Sequence, residues 1–402
     1  MAPGDPVTQT KHRGNRSCDR AAYIRVVSDS FTNSAAALRD TLEGQVMRTH
    51  TRNRRSLSRL AMAAAVAGAA VLGLSACSSG STGSDASESA SLGTVNVQLS
   101  WIKNEEFVGE YFADDKGYYA DAGFDTVNLT AGPSTGASEL LSGQADIALS
   151  DAASIGTAVA EQDAPLKIVG ATFQKNPFTI LSLKDGANIA TPQDLIGKKI
   201  GVQDSNVNVF KALLKANDIS EDQVTIVPVQ FDPSPLTEGQ VDGFFAYLTN
   251  EAITVAQQGH EVTNLAFADN GLPFVAETVS VTEQTLQERP EMVKAFLKAE
   301  IQGWNDAYAD RDAGFDLIQN KYGKDSGQTE AKTKAGYDAQ MKLVSTPETE
   351  QNGLFTISDD LKAQTIASLK AAGIDLTEDQ LFDTSLLDEV YSENPSLKDY
   401  TK

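Results

Sequence analysis

Apolar and polar residues alternate at the start of the acidic part of the chain. In TVNVQLS (94–100), Val95, Val97 and Leu99 share one parity, the period of a half-buried strand. From Phe107 to Ala122 the spacing becomes helical and stops before Gly123. Residues 124–130 return to strand character, 137–141 read as a short helix, 145–150 as a strand, and 151–162 as a helix with Asp151 at its N-cap. Strands alternating with helices predict an α/β protein with crossover helices.

The order recurs. The pattern L-x-x-G-Q-x-D occurs at 140–146 and again at 236–242, each time before an apolar strand. KIGVQ (199–203) then corresponds to the first strand and VTIVPVQ (224–230) to the second, so two similar α/β lobes are expected. In open α/β sheets ligands bind beyond the carboxyl ends of the strands. The residues in those places are Trp101 and Asn104, then Ser134 and Thr135 behind Gly132-Pro133, then Ser150 and Asp151. In the second lobe they are Asp204, Ser205 and Asn206, then Asp232, then Tyr247, Asn250 and Glu251. Aromatics and short polar side chains suit a small, flat, polar ligand.

Two stretches read as crossings between the lobes, PFTILSL (177–183) outward and FVAETVSVT (274–282) back. Two crossings make a hinge, and closure around a ligand follows. The first lobe is therefore expected at 94–180 and 279–402, and the second at 181–278. Residues 290–308 form a good helix, with Pro290 in its first turn and Val293, Phe296, Leu297, Ile301, Trp304 and Tyr308 on one stripe. Later helices are expected to pack on the first lobe.

Composition narrows the class. A chain of 402 residues has room for about two to three domains. With 41% hydrophobic and 22% charged residues it is neither broadly disordered, nor collagen-like, nor a polytopic membrane protein. A net charge of −22 argues against nucleic acid as a partner. The charge is uneven: residues 1–76 carry 11 basic and 5 acidic side chains, and residues 77–402 carry 22 and 50. From Met47 the chain is basic (MRTHTRNRRSLSRL), then apolar and uncharged from Leu60 to Leu74, then Leu-Ser-Ala-Cys ending at Cys77. This is the order of a secretory signal, and the apolar run is shorter than the ~20 residues of a bilayer span. Leu-Ser-Ala-Cys resembles the bacterial lipobox, in which the cysteine is acylated. The following SSGSTGSDASESAS reads as a flexible tether, and two acyl chains suffice for stable anchoring. The expected layout is an extension at 1–46 ahead of Met47, a lipoprotein signal peptide at 47–76, and a Ser/Gly linker at 77–93. Cys18 and Cys77 are the only cysteines, too few for a disulfide framework or a cysteine zinc site.

The run QLSWIKNEEFVGEYFADDKGYYADAGFD (98–125) resembles the start of the solute-binding proteins of ABC importers. It is nearest to the thiamine-pyrimidine-binding and nitrate/sulfonate/taurine-binding group. Trp101 and Asn104 match W-x-x-N, Phe107, Gly109, Tyr111 and Ala113 the next motif, and Lys116-Gly117-Tyr118-Tyr119 the one after. SGQADIALSD (142–151), DLIGKKIGV (194–202), FDPSPLTEGQVD (231–242) and YLTNE (247–251) continue the match, the last two looking like the pyrimidine or riboflavin importers. The resemblance covers roughly 94–340. It implies a two-lobed type II periplasmic-binding-protein fold with a hinge of two crossing strands. It also implies an extracytoplasmic, monomeric receptor, lipid-anchored at Cys77, that passes a small aromatic solute to a permease and its ATPase. A thiamine pyrimidine precursor is the first expectation and riboflavin or a nitrate, sulfonate or taurine ligand the alternative. A secreted enzyme or sensor of the same fold is the reading from another class. The same group holds a fungal pyrimidine-forming enzyme with an active-site His near W-x-x-N. Phe107 takes that position here and is carried over as a ligand-binding candidate; His260 is the only His after Cys77, so no catalytic residue and no cofactor is expected.

Each candidate also has a plainer reading. Trp101 stacks on a ligand ring or, by its parity with Leu99, belongs to the core; Tyr247 carries the same choice. Asp151 accepts from a ligand amine or caps a helix, and Glu251 pairs with a ring donor or with a neighbour. Asp146 and Asp242 suit turns, and His260 a surface position. Gly132 and Gly136 near a helix start keep an anion ligand open. Cys77 generates the first prediction: protein extracted from membranes has the mass of a chain beginning at an acylated Cys77, and a free Cys77 thiol or a retained leader contradicts it.

Overall fold

The computed structural model describes residues 91–400. The expected extension, the signal peptide, Cys77 and the linker as far as residue 90 lie outside them. Strands β1 (Gly93–Gln98), β2 (Phe124–Thr130), β3 (Ile147–Asp151) and β4 (Leu166–Phe173) come first. Strands β5 (Phe178–Leu183), β6 (Lys199–Val202), β7 (Thr225–Pro228), β8 (Gly243–Tyr247), β9 (Val262–Ala266) and β10 (Ala276–Thr282) follow. They form two five-stranded sheets, ordered β2-β1-β3-β10-β4 and β7-β6-β8-β5-β9. In each sheet the first three strands are parallel and the fourth is antiparallel, having arrived from the other lobe. The two lobes thus share one topology, as the recurring element order predicts.

Parallel neighbours require crossover connections. In the first lobe these contain α1 (Val108–Asp115), α2 (Ala137–Ser142) and α3 (Ala152–Gln162). In the second lobe they contain α4 (Val207–Ala216) and α5 (Glu251–Gln257), and α6 (Pro290–Ala309) and α7 (Glu330–Val344) follow β10. The helix expected over 107–122 is broken in two, because Gly117 turns left-handed at φ 78° before a short helix Tyr118–Asp121.

The sequence repeat does the same work twice. Gly143 and Gly239 take φ of 71° and 70°, a left-handed helix end that favours glycine. Asp146 then accepts from the Asn96 amide and Asp242 from the Lys199 amide, both at 2.8 Å. Each Asp fastens the start of its third strand to the first strand, a stronger form of the expected turn role.

Between β4 and β5 the chain crosses lobes over residues 174–177, and it returns over 267–275. Asn176 binds the crossings together: its amide donates to the Phe274 carbonyl at 2.9 Å and its side chain to the Leu272 carbonyl at 2.6 Å. Strands β5 and β10 belong wholly to the sheets they enter. A division at 180/181 and 278/279 would therefore cut both strands. Their apolar runs mark sheet interiors, while the crossings are the short segments before them.

Val95, Val97 and Leu99 share a core with Phe107, Phe112, Phe296 and Trp304. The stripe on α6 is buried as expected, except that Tyr308 is only partly covered. A second core joins Ile155 of α3, Val209 and Leu213 of α4, and Leu369 of the helix Asp359–Ala371. The C-terminal helices therefore do not pack on the first lobe alone. Among the described residues, no helix is long and apolar enough to cross a membrane.

Helices α1 and α6 touch through glycines. A Cβ on Gly303 would lie 2.1 Å from the Gly109 carbonyl oxygen, and one on Gly109 would enter the Trp304 ring. Backbone cannot rotate away as a side chain can. Gly303→Val is expected to destabilise the protein by ~1–3 kcal/mol or more, read as a lower Tm; an unchanged Tm would contradict this close approach.

Candidate functional site

The carboxyl ends of β1, β3, β6 and β8 meet in a narrow, nearly filled cleft between the lobes. From the first lobe it is lined by Ser100, Trp101, Ser134, Thr135, Ser150, Asp151 and Ser154. From the second it is lined by Phe178, Gln203, Ser205, Asn206, Phe245, Ala246, Tyr247 and Glu251. Nine of the expected residues are thus together: Trp101, Ser134, Thr135, Ser150, Asp151, Ser205, Asn206, Tyr247 and Glu251.

Five are not on its wall. Phe107 is fully buried in the first-lobe core, where its apolar ring serves packing. Asn104 is also fully buried, and its side-chain oxygen accepts from the Glu106 amide at 2.9 Å, capping the short turn Glu105–Phe107. Asp204 opens the turn Asp204–Asn206 and is exposed. Asp232 holds Ser234 through its own carboxylate. Asp232 and Asn250 line a wider, neighbouring depression instead.

Asp151 ends β3 and caps α3. One carboxylate oxygen accepts from the Ala153 and Ser154 amides at 2.9 Å, and the other from the Ser154 hydroxyl at 2.6 Å. Both readings of Asp151 therefore coexist, since it is a cap that also lines the cleft. Glu251 accepts from the Tyr247 amide at 2.9 Å and from the Asn250 side chain at 2.8 Å. Trp101 is half-buried, and its indole N–H has no hydrogen-bond partner. Tyr247 packs edge-on against Phe178, with ring centroids 5.0 Å apart.

The Tyr247 hydroxyl donates to Glu277 at 3.2 Å, and the Ser100 hydroxyl donates to both oxygens of the same carboxyl at 3.0 Å. Glu277 is a residue the strand-end rule does not find. It is an extra residue in β10 opposite β3, where the register skips between Ala276 and Thr278. Its φ of 45° is left-handed, a strained state for a non-glycine residue, and bulges of this kind re-aim side chains beside functional sites. The available signal was an acid in the otherwise uncharged run AETVSVT.

Beneath the cleft the acids crowd. Glu105, Glu106, Glu251 and Glu277 are all buried. Lys332 of α7 reaches Glu105 at 2.5 Å, and both groups are buried. Both carboxyl oxygens of Glu106 lack a partner, and burial, then Glu277, Glu105 and Glu251, push its pKa well up. Burial raises Glu251 to about 7 against the amide bonds that lower it. Burial raises Glu277 to about 8, opposed by the Ser100 hydroxyl. These are carboxyl groups that hold protons near neutrality.

The glycine loop has a packing reason. A Cβ on Gly132 would lie 2.4 Å from the Ser100 carbonyl oxygen, and one on Gly136 2.4 Å from the Ala148 Cβ. The Gly136 amide already donates to the Ser134 hydroxyl at 3.0 Å, and Asp151 occupies the first amides of α3.

Known proteins agree with this architecture. The riboflavin-binding protein RibY of Chloroflexus aurantiacus is 29% identical over 241 residues, 56% of this chain and 65% of the relative. The chain thus spans a little under two thirds of that relative's length. The formylaminopyrimidine-binding protein of Halalkalibacterium halodurans is 26% identical over 241 residues, 58% of this chain and 71% of the relative. The alkanesulfonate-binding protein SsuA of Xanthomonas axonopodis pv. citri, solved with MOPS, superposes with a TM-score of 0.55 at 16% identity. That superposition covers 72% of this chain and 96% of SsuA. It shows the shared two-lobed periplasmic-binding fold. The family described as NMT1/THI5 like matches residues 104–313, a span that runs from the Asn104 cap through both lobes and crossings into the helix after α6, and to this NMT1/THI5-like family the chain belongs.

Proposed function

We propose that the protein is the extracytoplasmic solute-binding component of an ABC importer and that it captures a flat nitrogen heterocycle between its lobes. Acylated Cys77 would hold it to the membrane as a monomer, and the paired crossings at 174–177 and 267–275 would be the hinge on which it closes. The candidate ligands are those named for the two relatives, a pyrimidine precursor of the thiamine type and riboflavin. The function is binding; the chain's own residues hold and release the solute without altering it.

One observation carries this reading. The cleft combines Trp101 and Tyr247, from opposite lobes, with the carboxyl groups of Asp151 and Glu251 and with Glu277 behind Tyr247. No Lys or Arg is among its lining residues. A nitrate or sulfonate would meet buried carboxyl groups and no Lys or Arg, so nothing on the wall would balance its charge. A ring with N–H donors instead gains apolar burial on its faces, about 0.5–1.5 kcal/mol per aromatic pair beyond area, and acceptors at its edge. The likeness to a sulfonate-binding protein is one of fold.

Two measurements test this. A thermal-shift panel of an aminopyrimidine, riboflavin, nitrate, taurine and an alkanesulfonate should show stabilisation by a heterocycle only, ~2.7 kcal/mol at 100 times its Kd; stabilisation by the anions alone would overturn the reading. Trp101→Ala should weaken the responding heterocycle at least tenfold, ~1.4 kcal/mol, with little change in the apo melt. A truncated core Trp would instead cost ~3–5 kcal/mol without ligand, and unchanged affinity would remove the stacking role.

The buried acids generate a pH prediction. Glu277 at about 8 and Glu251 at about 7 hold protons in the folded state that an unfolded chain releases near 4.5. The folded state binds more protons across that window, so stability is full below about pH 4.5 and falls as pH rises toward 8. The apo Tm should be several degrees higher at pH 5.5 than at pH 8.5, and Glu277→Gln should reduce the difference. A Tm that rises over the same interval contradicts the assignment.

A further inference from the structure

Beside the narrow cleft lies a second, wider depression. Glu251 lines both. Ile102, next to Trp101, and Asn250, next to Glu251, carry the wall from one to the other. The far wall comes from the segment ahead of α7, through Ser326, Gln328 and Thr329, and the near wall from Thr254 and Gln258 on the α5 side. Phe231 is on the rim and is 42% exposed, one of few large apolar side chains so placed among the described residues.

The polar groups here are mostly amides and hydroxyls. The Gln328 side-chain oxygen is buried without a hydrogen-bond partner, while its amide nitrogen reaches the Asn250 side chain at 3.4 Å. The one cation on the wall, Lys332, is already paired with Glu105. Asp232 and Glu251 supply only acidic charge. Such a wall matches hydroxyl groups, which both donate and accept, and opposes a phosphate.

We propose that this depression is a second subsite, which takes a neutral, hydroxylated chain carried by the heterocycle held in the cleft. The inference rests on the heterocycle reading above. It narrows that reading from any flat ring to a ring bearing a polyol-like chain without phosphate. The ring enters between Trp101 and Tyr247, and the chain leaves past Glu251 and Asn250 toward Gln328.

Calorimetric titration of the full chain with riboflavin, lumiflavin (the same ring with a methyl in place of the chain), flavin mononucleotide and a hydroxymethyl aminopyrimidine separates the outcomes. Riboflavin is expected to bind at least tenfold more tightly than lumiflavin and than flavin mononucleotide. Thr254→Phe, which narrows the depression, and the milder Gln328→Ala should each shrink the riboflavin advantage over lumiflavin, with a melt of each variant reporting its fold. Lumiflavin or the aminopyrimidine binding as tightly as riboflavin would overturn the subsite while leaving the heterocycle reading in place. Flavin mononucleotide binding as tightly as riboflavin would overturn the neutral chain. No binding by any of the four would overturn both readings.

Discussion

A buried carboxyl group must find donors or keep its proton, and this constraint organises the centre of the molecule. Glu277 sits in a strained bulge of β10 with almost no exposure. Its donors come from both sides of the cleft, Ser100 from the first lobe and Tyr247 from the second. A bond to the second lobe exists only while the lobes are near each other. In this arrangement one buried carboxyl is satisfied from both lobes at once, where a buried bond left unmade would cost about 1–3 kcal/mol. The strain at Glu277 has a counterpart in this bridging position.

The repeat shows half-buried acids meeting a milder form of that constraint in duplicate. Asp146 and Asp242 are acids at strand starts, and each takes its donor from the backbone of the neighbouring first strand. Asp146 is further paired with Arg289 at 2.5 Å, just ahead of α6. The first lobe thereby ties its third strand to the helix that buries Trp304 and Phe296. The lobes share a topology, and the C-terminal helices pack against both of them.

Much of this was readable in the chain because strand periodicity places strand ends. The rule that ligands sit beyond parallel strand ends finds Trp101, Ser150, Asp151, Ser205 and Tyr247 without knowledge of packing. It fails where the residue after a strand turns inward, as Asn104 does to cap a turn, or outward, as Asp204 does. Phe107 was carried over from a family position, and in this chain its neighbours are core side chains. Glu277 lies inside a strand that runs antiparallel to its neighbours, where the rule has no purchase; only a lone acid amid apolar residues marked it. The crossings were displaced by a few residues for a related reason, since apolar runs identify strands, and the hinge segments between them have no period of their own.

The family match ends at residue 313, yet several groups that set the electrostatics of the cleft come later. Lys332, buried against Glu105, is the cation that offsets the acids beneath Trp101 and Glu251. Gln340, on the same helix, donates to the Glu105 carbonyl at 2.5 Å and holds the turn on which Glu105 and Glu106 sit. Gly336 permits this, because a Cβ there would lie 2.3 Å from the Glu105 carboxylate. Helix α7 therefore acts as a brace under the ligand end of β1, and its N-terminal approach also forms the far wall of the wider depression. The matched span supplies β2 to β10, both crossings and Tyr247, while β1 and Trp101 precede it. The segment after it holds the cation and the amide that meet the Glu105–Glu106 turn and forms the far wall of the wider depression, so the floor and one wall beside the cleft are built from residues that the family pattern does not reach.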